Sequence, residues 1–230
     1  MIPPRRTVKF LFVPRACLLL TSLATVFAQA PNFVGGQFGV STLSADGRSA
    51  ISAGSTSVSL YKPENSVTGQ IFAGRHVNDY LSFQGSYGWN GNDLRLTSVI
   101  VTSGMERSYE QTRTASHHSA AAEMMVFFRP RKSSIRPYLS AGLGVAHFVS
   151  REEQLLVSTG GPPLPPPEFR STDPCFRVAV GIDLKLGRLA VFRYTFSETL
   201  QSNPISTQLA PAGMRNLANF QNLFGFAWTF

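Results

Sequence analysis

The stretch FGFAWTF, residues 224–230, alternates Phe224, Phe226, Trp228 and Phe230 with Gly225, Ala227 and Thr229, and the sequence ends on that last Phe. Successive side chains of an extended strand point to opposite faces, so this run shows one aromatic face and one small face. Because the alternation persists to the final residue, it predicts a strand, Asn216 to Phe230, that closes a sheet with no tail beyond it.

The opposite end predicts export. Arg5, Arg6, Lys9 and Arg15 make a basic start, the run Ala16 to Ala28 is apolar, and small residues stand at Ala28 and Ala30. This is the layout of a secretory signal peptide over residues 1–30, with cleavage after Ala28 or Ala30. Pro31 would hinder the second site, which favours Ala28. The apolar run is shorter than the ~20 residues a spanning helix needs. Removing residues 1–30, with their four basic and no acidic side chains, lowers the formal charge from +8 to +4. Charge of that size, spread along the chain, gives little reason to expect nucleic-acid binding. Cys175 is then the one cysteine left, so no intrachain disulfide is expected. Residues 31–230 suffice for a single domain.

Period-2 segments recur through that domain, about eight in all, the number in the smallest outer-membrane barrels. The first runs from Phe33 to Thr42, the second from Ser66 to Arg75, and Asn78 and Asp79 supply a tight turn into the third, which carries Leu81, Phe83, Tyr87 and Trp89 on one face. A fourth follows a long polar loop read over Arg95 to Ser116. It sets Ala120, Ala122, Met124 and Val126 against Ser119, Ala121, Glu123 and Met125. The fifth alternates Leu139, Ala141, Leu143 and Val145 with Tyr138, Ser140, Gly142 and Gly144. The stretch Ser150 to Pro174, containing GGPPLPPPEF, reads as a second loop, because proline is excluded from sheet interiors. Phe176 to Leu184 and Val191 to Ser197 give the sixth and seventh strands. No stretch keeps a convincing helical period, so the expectation is an all-β, closed antiparallel transmembrane β-barrel with up-and-down topology.

Three features place the bulky face towards lipid. The other face is built of Gly, Ala, Ser and Thr, which suits a narrow lumen filled by side chains. It also carries Glu123, Arg177, Asp183 and Arg193, mixed in sign and suited to pairing inside a small barrel as a lumen charge network. Tyr87, Trp89, Tyr194, Trp228 and Phe230 near strand ends fit interfacial aromatic girdles. Since every backbone group in lipid must be bonded within the protein, the first strand should pair with the last.

With export signal, strand rhythm and aromatic ending together, residues 31–230 resemble the OmpA/OmpX-type family of small barrels of the bacterial outer membrane. The resemblance implies that Phe224, Phe226, Trp228 and Phe230 form the signal read by the barrel-assembly machinery. It also implies that the short turns near Asn78, Pro130 and Lys185 face the periplasm, while the long loops face outside among lipopolysaccharide. Surface recognition by those loops, which carry Arg95, Glu106, Arg107, Glu110 and Arg113 and then Arg151, Glu152 and Glu153, is one expected role.

Catalysis has little support, and no enzyme activity is expected. His117, His118 and Ser119 with Glu123 come nearest to a nucleophile and base, and the His-x-Ser spacing resembles that of outer-membrane lipid A deacylases. Those enzymes carry the motif in another part of the barrel. His76, His117, His118 and His147 lack metal-ligand spacing with Cys or carboxylates, so no metal or cofactor is expected. The open alternatives to a structural or interaction role are a narrow pore and a lipid A-modifying enzyme.

Overall fold

The computed structural model describes residues 31–230 except 53, 158–163 and 204. The signal-peptide reading concerns residues outside the described ones. Strands follow in the order β1 (Asn32–Leu43), β2 (Asp46–Ser52), β3 (Ser55–Pro63), β4 (Ser66–His76), β5 (Leu81–Asn90), β6 (Leu94–Thr102), β7 (Met105–Phe127), β8 (Ile135–Val157), β9 (Glu168–Lys185), β10 (Ala190–Ser202) and β11 (Asn216–Thr229). All pairings are antiparallel. A ring closes through β1, β4, β5, β7, β8, β9, β10 and β11, with β1 joined to β11 from Phe33–Thr229 up to Leu43–Asn219. The first strand thus meets the last, as backbone satisfaction in lipid requires.

The other three strands prolong the ring on one side. β2 pairs with β3 in the register that β1 keeps with β4, and β6 pairs with β7 in the register that β5 keeps with β7. Each of β1–β2, β3–β4 and β5–β6 is therefore one long strand with a short break, and the barrel stands well beyond the height of its membrane band. This upper sheet is an extension over the long-connection end; the opposite end carries the short turns.

Two expected loops are corrected here. Arg95 to Ser116 is not a loop but β6 and the first half of β7, turning at Ser103 and Gly104, whose φ values are +51° and +79°. Ser150 to Pro174 is largely strand as well, since β8 runs to Val157 and β9 begins at Glu168. Pro174 lies opposite Val145 of β8, above the point where the ladder between β9 and β10 ends at Phe176–Leu200. There β9 is an edge strand, which tolerates proline.

The polar look of those segments has a physical cause. Along β5 the outward side chains are Phe83, Tyr87 and Trp89, and the inward ones are Ser82, Gln84 and Ser86. Further up the same path the inward residues become Leu94 and Leu96, 2% and 0% exposed, while Arg95 points out. Facing is unchanged but hydrophobicity swaps sides, because the outer face meets lipid below and water above. Two apolar clusters result inside the barrel: Phe33, Phe72, Met125, Phe127 and Tyr138 near the short turns, and a larger one in the extension.

Candidate functional site: a filled lumen

Side chains fill the lumen in layers. Nearest the short turns, Arg136 lies 3.8 Å over the Phe127 ring and Arg193 4.8 Å over that of Phe72. Phe72 and Tyr138 occupy the space that side chains at Gly35 and Gly181 would take, so these two glycines make room for large rings in a narrow barrel.

Above that floor sit the charged residues singled out from the sequence. Arg193 grips Asp183 with two parallel bonds, Nε to Oδ1 at 2.7 Å and Nη2 to Oδ2 at 2.8 Å, and Nη1 donates to Gln84 at 2.8 Å. Glu123 accepts from Ser86 (2.7 Å) and Ser140 (3.0 Å), with Arg177 Nε at 3.7 Å. Arg177 also donates to Gln70 (3.1 Å) and Ser197 (3.0 Å). All four charged groups are buried, as two pairs of opposite sign: Arg193 and Asp183 face each other on β10 and β9, and Glu123 on β7 reaches Arg177 on β9 across Gly142 of β8. Their neutral partners, Gln84, Ser86, Ser140, Gln70 and Ser197, were missed as site residues. The available signal was their spacing of two along strands already identified.

The next layer is amide-rich. Ser41 donates to Asn219 (2.7 Å), Gln221 donates to Thr68 (3.1 Å), and His117 is held between Gln201 (2.6 Å) and Asn90 (3.2 Å). Those two bonds occupy both ring nitrogens of His117 and leave none for Ser119. His118 points to the outside and meets the Tyr87 hydroxyl at 2.7 Å. The structure therefore does not assemble His117, His118, Ser119 and Glu123 into one constellation. His76 bonds Ser82 (2.6 Å) and His147 bonds Thr172 (2.7 Å).

In the extension the lumen turns dry. Leu43, Tyr61, Leu94, Leu96, Tyr109, Phe148 and Leu217 pack with Ile205 and Leu209 from the β10–β11 connection, which folds inwards as a roof. Ser59 and Ser98 hydroxyls donate to the carbonyls of Pro211 and Ala210, and Asp46 accepts from the Ser206 hydroxyl (3.1 Å) and the Met214 amide. Nearby, Arg113 is fixed by Ser150 (2.9 Å), Gln111 (2.9 Å) and the Pro167 carbonyl (3.1 Å). Burial raises the phenol pKa of Tyr61, and raises that of Tyr109 to about 12 against the lowering effect of Arg113. Glu168, on the rim, is held below the usual carboxylate range by the hydrogen bond and charge of Arg170.

Phe224, Phe226, Trp228 and Phe230 lie on the outer face, 43% to 70% exposed, with the Tyr194 ring tilted against Phe224 at 4.9 Å and Phe192 set 5.7 Å from Phe226. Phe192 and Phe226 thus pack against each other on the outer face.

A closed antiparallel ring with an apolar outer band, aromatics near its ends and buried charge within defines a transmembrane barrel of the bacterial outer membrane. The model of the outer membrane protein β-barrel domain family matches residues 16–227, and the chain belongs to that family. Among solved structures it is similar to neisserial surface protein A, with 16% identity and a TM-score of 0.50 over 86% of this chain and 97% of that one. It is also similar to the outer membrane protein OprG from Pseudomonas aeruginosa, with 9% identity and a TM-score of 0.51 over 87% and 96%. At such identities the likeness is one of fold. No curated protein sequence matches the chain.

Proposed function

We propose that the protein is a plugged outer-membrane scaffold that carries a rigid β-extension at the cell surface, with a structural or surface-interaction role and no catalytic activity. The observation behind this reading is the layered filling of the lumen, from the aromatic floor through two ion pairs and the amide layer to the roof formed by the β10–β11 connection. An eight-stranded ring has room for little beyond its own side chains. In this reading the short turns face the periplasm, and the extension stands among lipopolysaccharide. The exposed aromatics of β11 with Phe230 serve as the signal for the barrel-assembly machinery. Planar-bilayer recordings of the refolded protein test the plug. The expected trace is flat, and stable large conductance steps would sink the proposal.

A further inference from the structure

The two ends of the molecule differ in charge. On the extension, arginines stand beside carboxylates: Arg95 with Glu110 (3.6 Å), Arg151 with Glu168 (3.5 Å) and Arg170 with Glu168 (2.5 Å). At the short-turn end Arg129, Arg131, Lys132, Arg136, Lys185 and Arg188 gather on and beside the β7–β8 and β9–β10 turns. The carboxylates near them are already engaged, Asp79 by Arg131 at 2.9 Å and Asp183 by Arg193. Among the described residues, Lys132, Arg136, Lys185 and Arg188 make no salt bridge.

These cations converge. Arg131, Lys132, Arg136, Lys185 and Arg188 line one cavity of about 330 Å³ in the barrel mouth, together with the engaged carboxylates of Asp79 and Asp183, and it is backed by Phe33, Arg193 and Ala227. Arg136 is preorganised there: it is 7% exposed, its Nη2 donates to the Asp79 carbonyl at 2.9 Å, and its plane rests on Phe127. Ser133 and Thr229 add neutral polar groups to the wall. The cations outnumber the two carboxylates of the wall, and an excess of one sign around a concave, partly apolar surface focuses a positive field. An oxyanion with several acceptor oxygens and two charges suits a set of lysine point charges and an arginine fork.

We propose that this cavity is a binding site for a phosphate-bearing anion, reached from the side of the short turns. The headgroup of an anionic phospholipid in the adjoining leaflet and a soluble phosphorylated compound present the same chemistry. The site goes beyond the scaffold role and is independent of whether the lumen conducts.

The full chain refolded into phosphatidylcholine nanodiscs is titrated with inorganic pyrophosphate by calorimetry. In parallel, protein from mixed phosphatidylcholine and phosphatidylglycerol vesicles is analysed by native mass spectrometry for retained lipid. Saturable one-to-one binding is expected in at least one arm; pyrophosphate binding identifies a soluble anion, and selective retention of phosphatidylglycerol identifies a headgroup. Arg188→Ala should weaken that binding about tenfold, in line with loss of one charge-assisted contact. Arg129→Ala removes equal charge from an exposed position that does not line the cavity, and should leave it unchanged. Both substituted positions are exposed turn residues, and heat-modifiable gel migration checks that each variant is folded. Absence of saturable binding in both arms, or equal loss in the two variants, would overturn the proposal.

Discussion

Arg193 and Asp183 illustrate what a side chain must do inside a narrow barrel. Both are buried, at 2% and 4% exposure, and the bidentate contact offsets a desolvation cost that neither could bear alone. Asp183→Asn keeps the volume but leaves a buried guanidinium without its counter-charge. It is expected to lower stability by about 3–5 kcal/mol, whereas the double change Arg193→Met with Asp183→Leu should recover most of that loss. Urea unfolding in phosphatidylcholine vesicles, followed through Trp89 and Trp228 fluorescence, checks both; equal stability of Asp183→Asn and the parent would contradict the pairing. The inward facing of Glu123, Arg177, Asp183 and Arg193 was legible from parity alone. Which arginine meets which carboxylate was not, because partners are fixed by strand order and stagger rather than by spacing along one strand.

The connection between β10 and β11 has the opposite history. Its sequence, with Pro204, Pro211 and few long apolar runs, reads as an ordinary loop, yet Ile205 and Leu209 are 1% and 5% exposed in the dry centre of the extension. Nothing local announces such a role, since the cluster that receives them is assembled from β1, β3, β6, β7, β8 and β11 together. Membrane-band strands were readable because lipid on one side and a small lumen on the other enforce clean alternation. β6 and the first half of β7 were not, because outside the bilayer Arg95, Thr97 and Glu110 occupy the outward face and dilute the pattern. Replacing Ile205 or Leu209 by Ala is expected to cost about 2–5 kcal/mol of local stability, the usual range for a buried large-to-small change. Proteinase K should then cleave within the extension sooner, while the embedded ring keeps its heat-modifiable gel shift. Cleavage no faster than in the parent would show that the roof does not hold the extension together.

Taken whole, the protein is two storeys built on the same strands, a membrane ring whose apolar side chains face out and an upper curved sheet whose apolar side chains face in. They share backbone but not driving force, so conditions exist that loosen the upper one alone. Tyr61 and Tyr109 supply such a condition. Their hydroxyls are buried in the upper cluster without a hydrogen-bond partner among the described residues, and burial raises both phenol pKa values, that of Tyr109 to about 12. Raised pKa values mean that the closed extension keeps protons which the opened one releases. Their contribution is therefore complete below about pH 10, the ordinary phenol value, and declines as pH climbs through about 12. Proteinase K cleavage of the extension in lipid-embedded protein should accelerate across that window. The double variant Tyr61→Phe with Tyr109→Phe should lose this acceleration and be at least as resistant as the parent at pH 8, because removing an unsatisfied buried hydroxyl is neutral or stabilising. If parent and variant respond alike between about pH 10 and pH 12, the upper storey is not held by a dry core around these two rings.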